Sequence, residues 1–178
     1  LFNRLLHKRR VITDPTPGVT RDPVEETALI RGKPVRLMDT GGFKLTRTAG
    51  SPEAVLDDLV TEKTLDALKK ADLILLLLDA EAVTPEDEEF IALLRPHWDR
   101  VVAAVNKTEG GRLESEAQEF YRFGFKELIC ISAEHGDRIP ELIDLLLSKL
   151  DFSGACRVEE KPAIKLAVLG KPNTGKST

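Results

Sequence analysis

The stretch Gly170-Lys171-Pro172-Asn173-Thr174-Gly175-Lys176-Ser177-Thr178 constrains this chain more than any other. It spells G-x-x-x-x-G-K-S-T, a loop whose backbone N–H groups, lysine and hydroxyl cradle phosphates. Such a loop works between a strand and a helix, because the helix N-terminus aims N–H groups and positive dipole at the phosphate. The strand is legible as the apolar run Ala163-Ile164-Lys165-Leu166-Ala167-Val168-Leu169. A fitting helix stands elsewhere, at Leu1-Phe2-Asn3-Arg4-Leu5-Leu6-His7-Lys8-Arg9-Arg10. Its apolar positions are 1, 2, 5 and 6, and its last turn is basic, where cations suit the dipole.

Between these two stretches the chain alternates strands with helices. Val11 to Pro23 reads as a proline-bearing loop. Val24 to Ile30 and Pro34 to Asp39 are strand-like and meet at Arg31-Gly32-Lys33, a hairpin signal. Lys44 to Pro52 is polar and irregular, and Glu53 to Lys70 carries the apolar spacing of an amphipathic helix. Asp72 to Asp79 contains six consecutive Leu or Ile residues, the pattern of a strand buried on both faces. Thr84-Pro85-Glu86-Asp87 opens a helix with an N-cap, a proline at the first helical position and early acids. Arg100 to Val105 is a strand ending at Asn106-Lys107, Leu113 to Phe123 a helix, Glu127 to Ser132 a strand and Ile139 to Leu150 an apolar-striped helix. The expected fold is α/β, a mostly parallel sheet flanked by helices.

Composition narrows the function classes. A length of 178 residues is enough for one well-packed domain. A net charge of −4 gives no basic field for nonspecific nucleic-acid binding by the whole surface. Cys130 and Cys156 form neither a disulfide framework nor a metal-ligand spacing, which fits a reducing, cytoplasmic setting. No apolar stretch approaches the roughly 18 residues of a membrane span, so no membrane is expected. Lys8-Arg9-Arg10 reads as a solvated helix end, and His7, His97 and His135 as surface or structural residues.

In a parallel sheet, ligands bind at the carboxyl ends of the strands. Four groups stand there. Asp39-Thr40-Gly41-Gly42 is a turn in which the aspartate suits Mg²⁺ and a glycine N–H suits a terminal phosphate. Asn106-Lys107-Thr108-Glu109 offers an amide, a long aliphatic stem and a carboxylate, which can read the edge of a purine and cover its face. Ser132-Ala133 offers a small residue and a backbone N–H for a base carbonyl, and Thr20 a hydroxyl for a Mg²⁺ shell. Each signal is weak alone, since Asp- and Gly-rich turns are common. Their order along the chain, each at a strand–loop junction, is what gives them weight.

Read together, these residues resemble bacterial GTPases of the translation-factor type. More closely, they resemble the first GTPase domain of the double-GTPase ribosome-assembly family known as Der or EngA. Pro17-Gly18-Val19-Thr20-Arg21-Asp22 matches that family's first switch, and Asp39-Thr40-Gly41-Gly42-Phe43 its second. Asn106-Lys107-Thr108-Glu109 and Ser132-Ala133-Glu134 match its guanine-specificity motifs, with Glu109 where the family has aspartate. The resemblance implies a P-loop NTPase fold and a GTP-binding, GTP-hydrolysing protein of large-subunit ribosome assembly. It implies a cytoplasmic monomer whose partners are guanine nucleotide and the ribosomal large subunit, both its RNA and its proteins. The implied cofactors are GTP or GDP, Mg²⁺ and K⁺. Lys176 would meet the phosphates, Ser177, Thr20 and Asp39 the Mg²⁺, and Asn106, Lys107, Glu109, Ser132 and Ala133 the guanine. Phe43 stands where many GTPases carry a water-orienting glutamine. The resemblance implies the hydrophobic-substituted class, in which Asn173 helps bind K⁺ against the phosphates. The alternative is a nucleotide-dependent ribosome-binding switch with negligible hydrolysis. An ATP-using P-loop enzyme is a third reading, disfavoured by the Asn106 motif.

The resemblance also divides the chain. Residues 1–150 match a first GTPase domain without its own opening strand and P-loop, 151–162 a linker, and 163–178 the first strand and P-loop of a second domain. With no initial Met, the chain reads as a fragment. Written end to end, Thr178 followed by Leu1 gives a seamless P-loop and helix. One expectation is that the strand at 165–169 docks into the missing first strand's slot, parallel between the strands at 34–39 and 72–79 or elsewhere in the centre of that sheet; the alternative is a detached tail that serves its own domain. A linker of about twelve residues, extending to roughly 40 Å, reaches that far.

Overall fold

Side-chain alternation along the strands explains the layers of this molecule. The computed structural model describes residues 1–6, 24–40, 65–81, 83–108, 118–153 and 165–169. In chain order these form α1 (Phe2–Leu6), β1 (Val24–Ile30), β2 (Lys33–Asp39), the helical residues 65–70 (α2), β3 (Leu73–Asp79) and α3 (Pro85–Leu94). A 3₁₀ helix (Arg95–Arg100), β4 (Val101–Asn106), the helical residues 118–121 (α4), β5 (Leu128–Cys130), α5 (Ile139–Lys149) and β6 (Lys165–Leu169) follow. The expected loop at 11–23, the irregular stretch 44–52, most of the helix at 53–70 and most of the linker lie outside the described residues.

The strands form one six-stranded sheet in the order β1-β2-β6-β3-β4-β5. β1 pairs antiparallel with β2, and every other neighbouring pair is parallel. The β1–β2 hairpin closes through Arg31 and Gly32 at φ +47° and +78°. Positive φ at both central residues is what a type I′ turn demands, and it matches the twist of the flanking strands. β6 lies parallel between β2 and β3. Leu37 and Leu73 both stand beside Leu166, and Met38 and Ile74 beside Ala167.

Alternation then divides the core. Leu73, Leu75 and Leu77 of β3 pack on one face with Leu1, with Phe2 and Leu5 of α1 and with Leu142, Ile143 and Leu146 of α5. Ile74, Leu76 and Leu78 pack on the other face with Leu68, with Phe90, Ile91 and Leu94 of α3 and with Phe120 of α4. All six are buried, which is why β3 reads as an unbroken apolar run. Each such side chain taken from water stabilises by on the order of 1.5–3 kcal/mol.

Three boundaries have a local reason, and two of them, the end of α4 and the extent of β5, differ from the sequence expectation. The helix expected to reach Phe123 ends at residue 121. Phe123 N–H donates to the Phe120 carbonyl at 3.2 Å and Gly124 N–H to the Tyr121 carbonyl at 3.0 Å, with Gly124 at φ +75°. That glycine closes the helix as a residue free to take a left-handed conformation. α3 stops at Leu94 because Pro96 lacks the N–H for the next α-helical bond, and the chain tightens into the 3₁₀ turn. β5 is shorter than 127–132 because Ser132 leaves the parallel ladder and bridges to Asp137.

Candidate functional site

The register of the sheet brings the carboxyl ends of the strands together. Asp39 closes β2 beside Val168 of β6, and Asp79 closes β3 directly beside Asn106 of β4. Val105 stands beside Cys130, so the loop after β5 emerges next to Asn106. Four polar strand ends thus share the edge where parallel sheets bind ligands.

Asn106 and the Ser132-Ala133 turn form one hydrogen-bonded unit. The Asn106 side chain is buried, and its Oδ1 accepts from the Ala133 N–H at 2.8 Å. That bond orients the amide, so its nitrogen and oxygen have distinct directions. The turn closes on itself as well. Ser132 N–H donates to the Asp137 carbonyl at 3.1 Å, Gly136 N–H to the Ser132 carbonyl at 2.8 Å, and His135 N–H to Ser132 Oγ at 3.2 Å. Ser132 is wholly buried. Thr108, also buried, ties the two strand ends together: its Oγ1 donates to the Ile131 carbonyl at 2.8 Å and its N–H to the same oxygen at 3.2 Å. Ile131 N–H in turn donates to the Val105 carbonyl at 2.8 Å.

Lys107 leaves the strand in a left-handed conformation, φ +68°, and its ammonium meets Asp79 Oδ2 at 2.7 Å. Asp79 Oδ1 accepts from the Glu81 N–H at 3.0 Å, so this carboxylate is fixed by its own turn before it fixes the lysine. The hydrogen bond that Lys107 donates to Asp79 raises the Lys107 pKa above its ordinary value; partial burial opposes it, and the charges of Asp79 and Glu81 add to it. The lysine is thereby held charged, and its ammonium is anchored at Asp79, the strand end that stands beside Asn106. A non-glycine residue at positive φ stores strain that surrounding contacts must hold. Here the ion pair and the Asn106 bond flank the strained residue.

The sequence-predicted residues Asp39, Thr40, Asn106, Lys107, Ser132 and Ala133 all fall at this edge, and Asn106 with Ala133 are in direct contact. Asp39 and Thr40 are buried at the end of β2. Asp39 is an oxygen donor of the hard kind that Mg²⁺ takes. Among the described residues no group of three or more His, Cys, Asp or Glu forms a metal cluster. A Mg²⁺ held by one carboxylate, hydroxyls and phosphate oxygens needs none, so Asp39 fits that role. Thr20, Gly41, Gly42, Phe43, Glu109 and Gly170 through Thr178 lie outside the described residues. Asp79, Thr108 and Arg4 also make contacts at this edge, and the sequence reading assigned them no role. Asp79 had a visible signal, an acid closing an apolar strand just as Asp39 does. Arg4 had none, because its partners are distant in sequence. Its Nε donates to the Ala133 carbonyl and its Nη2 to the Glu134 carbonyl.

None of the described helices is long and apolar enough to cross a membrane. Residues 1–107 match the family model described as 50S ribosome-binding GTPase. The chain is 49% identical over its whole length to the GTPase Der of Treponema pallidum and 39% identical to that of Borreliella afzelii. It is also 40% identical to the GTPase Der of Aquifex aeolicus. It spans 38–40% of the length of these relatives. Among solved structures it resembles a single-substitution variant of Era from Aquifex aeolicus bound to GDP·AlF4⁻, with a TM-score of 0.72 and 27% identity. That likeness covers 84% of this chain and 52% of the Era chain. With the family model matching more than half its residues and the P-loop type of α/β sheet in place, this chain belongs to the 50S ribosome-binding GTPases.

Proposed function

We propose that this chain is the guanine-binding portion of a GTPase acting in large-subunit ribosome assembly. The observation that carries the reading is the Asn106–Ala133 hydrogen bond, flanked by the Lys107–Asp79 ion pair. The Asn106 amide, the Ala133 backbone and the Lys107 ammonium stand near one another at the carboxyl edge of the sheet. Asn106 and Ala133 would read the base edge, Lys107 would cover its face, and Glu109 would accept from guanine N–H donors. The added methylene of Glu109, relative to aspartate, must be accommodated by the loop.

The same reading assigns the phosphate side. Lys176 and the loop from Gly170 to Thr178 would hold the phosphates, and Gly41, Gly42 and Thr40 would close the second switch around them. Ser177, Thr20 and Asp39 would hold Mg²⁺, which neutralises phosphate charge when bound. Asn173 would hold K⁺, supplying positive charge in place of an arginine finger. The place of β6 between β2 and β3 supports the proposal that residues 163–178 complete the sheet formed by 1–150. In an intact protein the same segment would open a second GTPase domain, with the ribosomal subunit as partner and the cytoplasm as location.

A second reading has one observation in its favour. Phe43 offers neither donor nor acceptor where a glutamine would orient water. On that reading the module binds nucleotide as a switch and turns over negligibly. Titration with GDP, GTP and ATP in K⁺ and Na⁺ buffers, followed by a single-turnover assay, tests both. The expected result is guanine preference with K⁺-dependent hydrolysis. Equal binding of ATP and GTP would remove the guanine assignment, and binding without turnover would favour the switch.

A further inference from the structure

Arg4 reaches from α1 to the turn that follows β5, a separation of 129 residues along the chain. Its fork addresses two consecutive carbonyls, those of Ala133 and Glu134. Ala133 is therefore tied at both ends. Its N–H is held by Asn106 Oδ1 at 2.8 Å, and its C=O by the Arg4 guanidinium. Fixing both peptide groups of one residue fixes its φ and ψ, and with them the angle between its N–H and the Asn106 amide. A second observation points the same way. Gly136, in the same turn, sits at φ +89°, and a Cβ there would stand 3.0 Å from Arg4 Nη1. The turn is shaped to admit the guanidinium against its backbone.

We propose that Arg4 is a positioning residue for base recognition, setting the orientation of the Ser132–Asp137 turn toward the Asn106 amide. This rests on the guanine reading above and adds to it a specificity determinant on a helix that does not itself touch the base. The plain alternative is an exposed arginine that merely adds stability by capping two carbonyls. The two differ in what they predict. A stabilising contact changes the melting temperature and weakens all nucleotides alike. A positioning contact changes the ratio of guanine to adenine nucleotide affinity, because only the base edge is misaligned.

The test is calorimetric titration of the full chain with GDP and ADP, unsubstituted and as Arg4→Met, Arg4→Lys and Gly136→Ala. Two charge-assisted hydrogen bonds are at stake, so Arg4→Met should lower the GDP-to-ADP preference by about tenfold. Arg4→Lys, which lacks the fork, should recover part of it. Gly136→Ala, which strains the turn at φ +89° and crowds the guanidinium, should reproduce the loss with Arg4 intact. Amide hydrogen exchange at Ala133 in the nucleotide-free chain should quicken in Arg4→Met. Equal weakening of GDP and ADP, or unchanged exchange at Ala133, would overturn the proposal while leaving the guanine reading standing. An unsubstituted chain that binds GDP and ADP equally would overturn the guanine reading, and this proposal with it.

Discussion

The two longest helices among the described residues begin in opposite ways. α3 starts with a self-sufficient cap: Thr84 N–H donates to Asp87 Oδ2 at 2.8 Å, and Asp87 N–H donates to Thr84 Oγ1 at 3.4 Å. Pro85 follows at the first turn, where a missing N–H costs nothing. α5 starts with no side-chain cap at all, behind Arg138 in a left-handed conformation at φ +56°. Its leading turn is held instead by Asn106, by the Ser132–Asp137 pairing and by Arg4. A helix that only packs can be capped by its own neighbours. A helix whose preceding turn faces a ligand edge has its N-terminal chemistry diverted into that edge, and distant residues must supply the order.

That contrast can be broken most forcefully at Asn106. Replacing it with alanine leaves the buried Ala133 N–H without the Asn106 acceptor, a loss of about 2 kcal/mol. The expected outcome for Asn106→Ala is a lower denaturation midpoint together with loss of guanine-nucleotide binding, read by urea titration and calorimetry. Retained guanine affinity would mean that the α5 side is merely structural, like the α3 side. Thr84→Ala is the matched substitution on α3. It should cost about 1 kcal/mol, the usual worth of such a cap, and leave nucleotide affinity unchanged. A change in affinity would show that α3 also communicates with the site.

The smallest effect lies in the 3₁₀ helix that continues α3. Burial first, and the Arg100 charge second, lower the His97 pKa from its ordinary 6.5. Arg100 Nη2 lies 3.1 Å from His97 Nδ1, with the guanidinium as donor to a neutral ring. The unfolded chain takes up this proton more readily than the folded one. The contribution is therefore fully present above pH 6.5 and is lost as the pH falls below it toward the folded value. His97→Gln should flatten the acid side of the stability profile by a small amount, measured by thermal melts between about pH 5 and 7. An unchanged slope would place the acid sensitivity elsewhere.

The same comparison explains what was legible in the sequence. The α3 cap was, because Thr84, Pro85 and Asp87 are neighbours whose chemistry is complete within one turn. So was β3, whose apolar run reports burial on two faces directly. The strand ends carrying Asp39, Asn106 and Ser132-Ala133 could be placed by motif and order. The bonds that make them a site could not. Lys107 meets Asp79, Thr108 meets Ile131, and Arg4 meets Ala133 only after the sheet has aligned their strands. Nothing in the local sequence of Arg4 separates it from any other arginine on a helix. The end of α4 ahead of Gly124 and the 3₁₀ turn at Pro96 were open to a closer reading, since Gly and Pro are the usual terminators.

The position of β6 carries a kinetic consequence. β1–β2 is a hairpin of adjacent residues, and β3, β4 and β5 succeed one another in the chain, so both halves of the sheet can assemble early. They are not hydrogen-bonded to each other. A strand from far along the sequence joins them, and long-range parallel pairing is slow because the loop it closes must be ordered first. Until β6 seats, β2 and β3 each present an open edge able to template association with another chain. This topology predicts a late keystone step in folding, in which Leu166 comes to lie beside Leu37 and Leu73 last, and slower refolding with more aggregation at higher chain concentration is its expected sign.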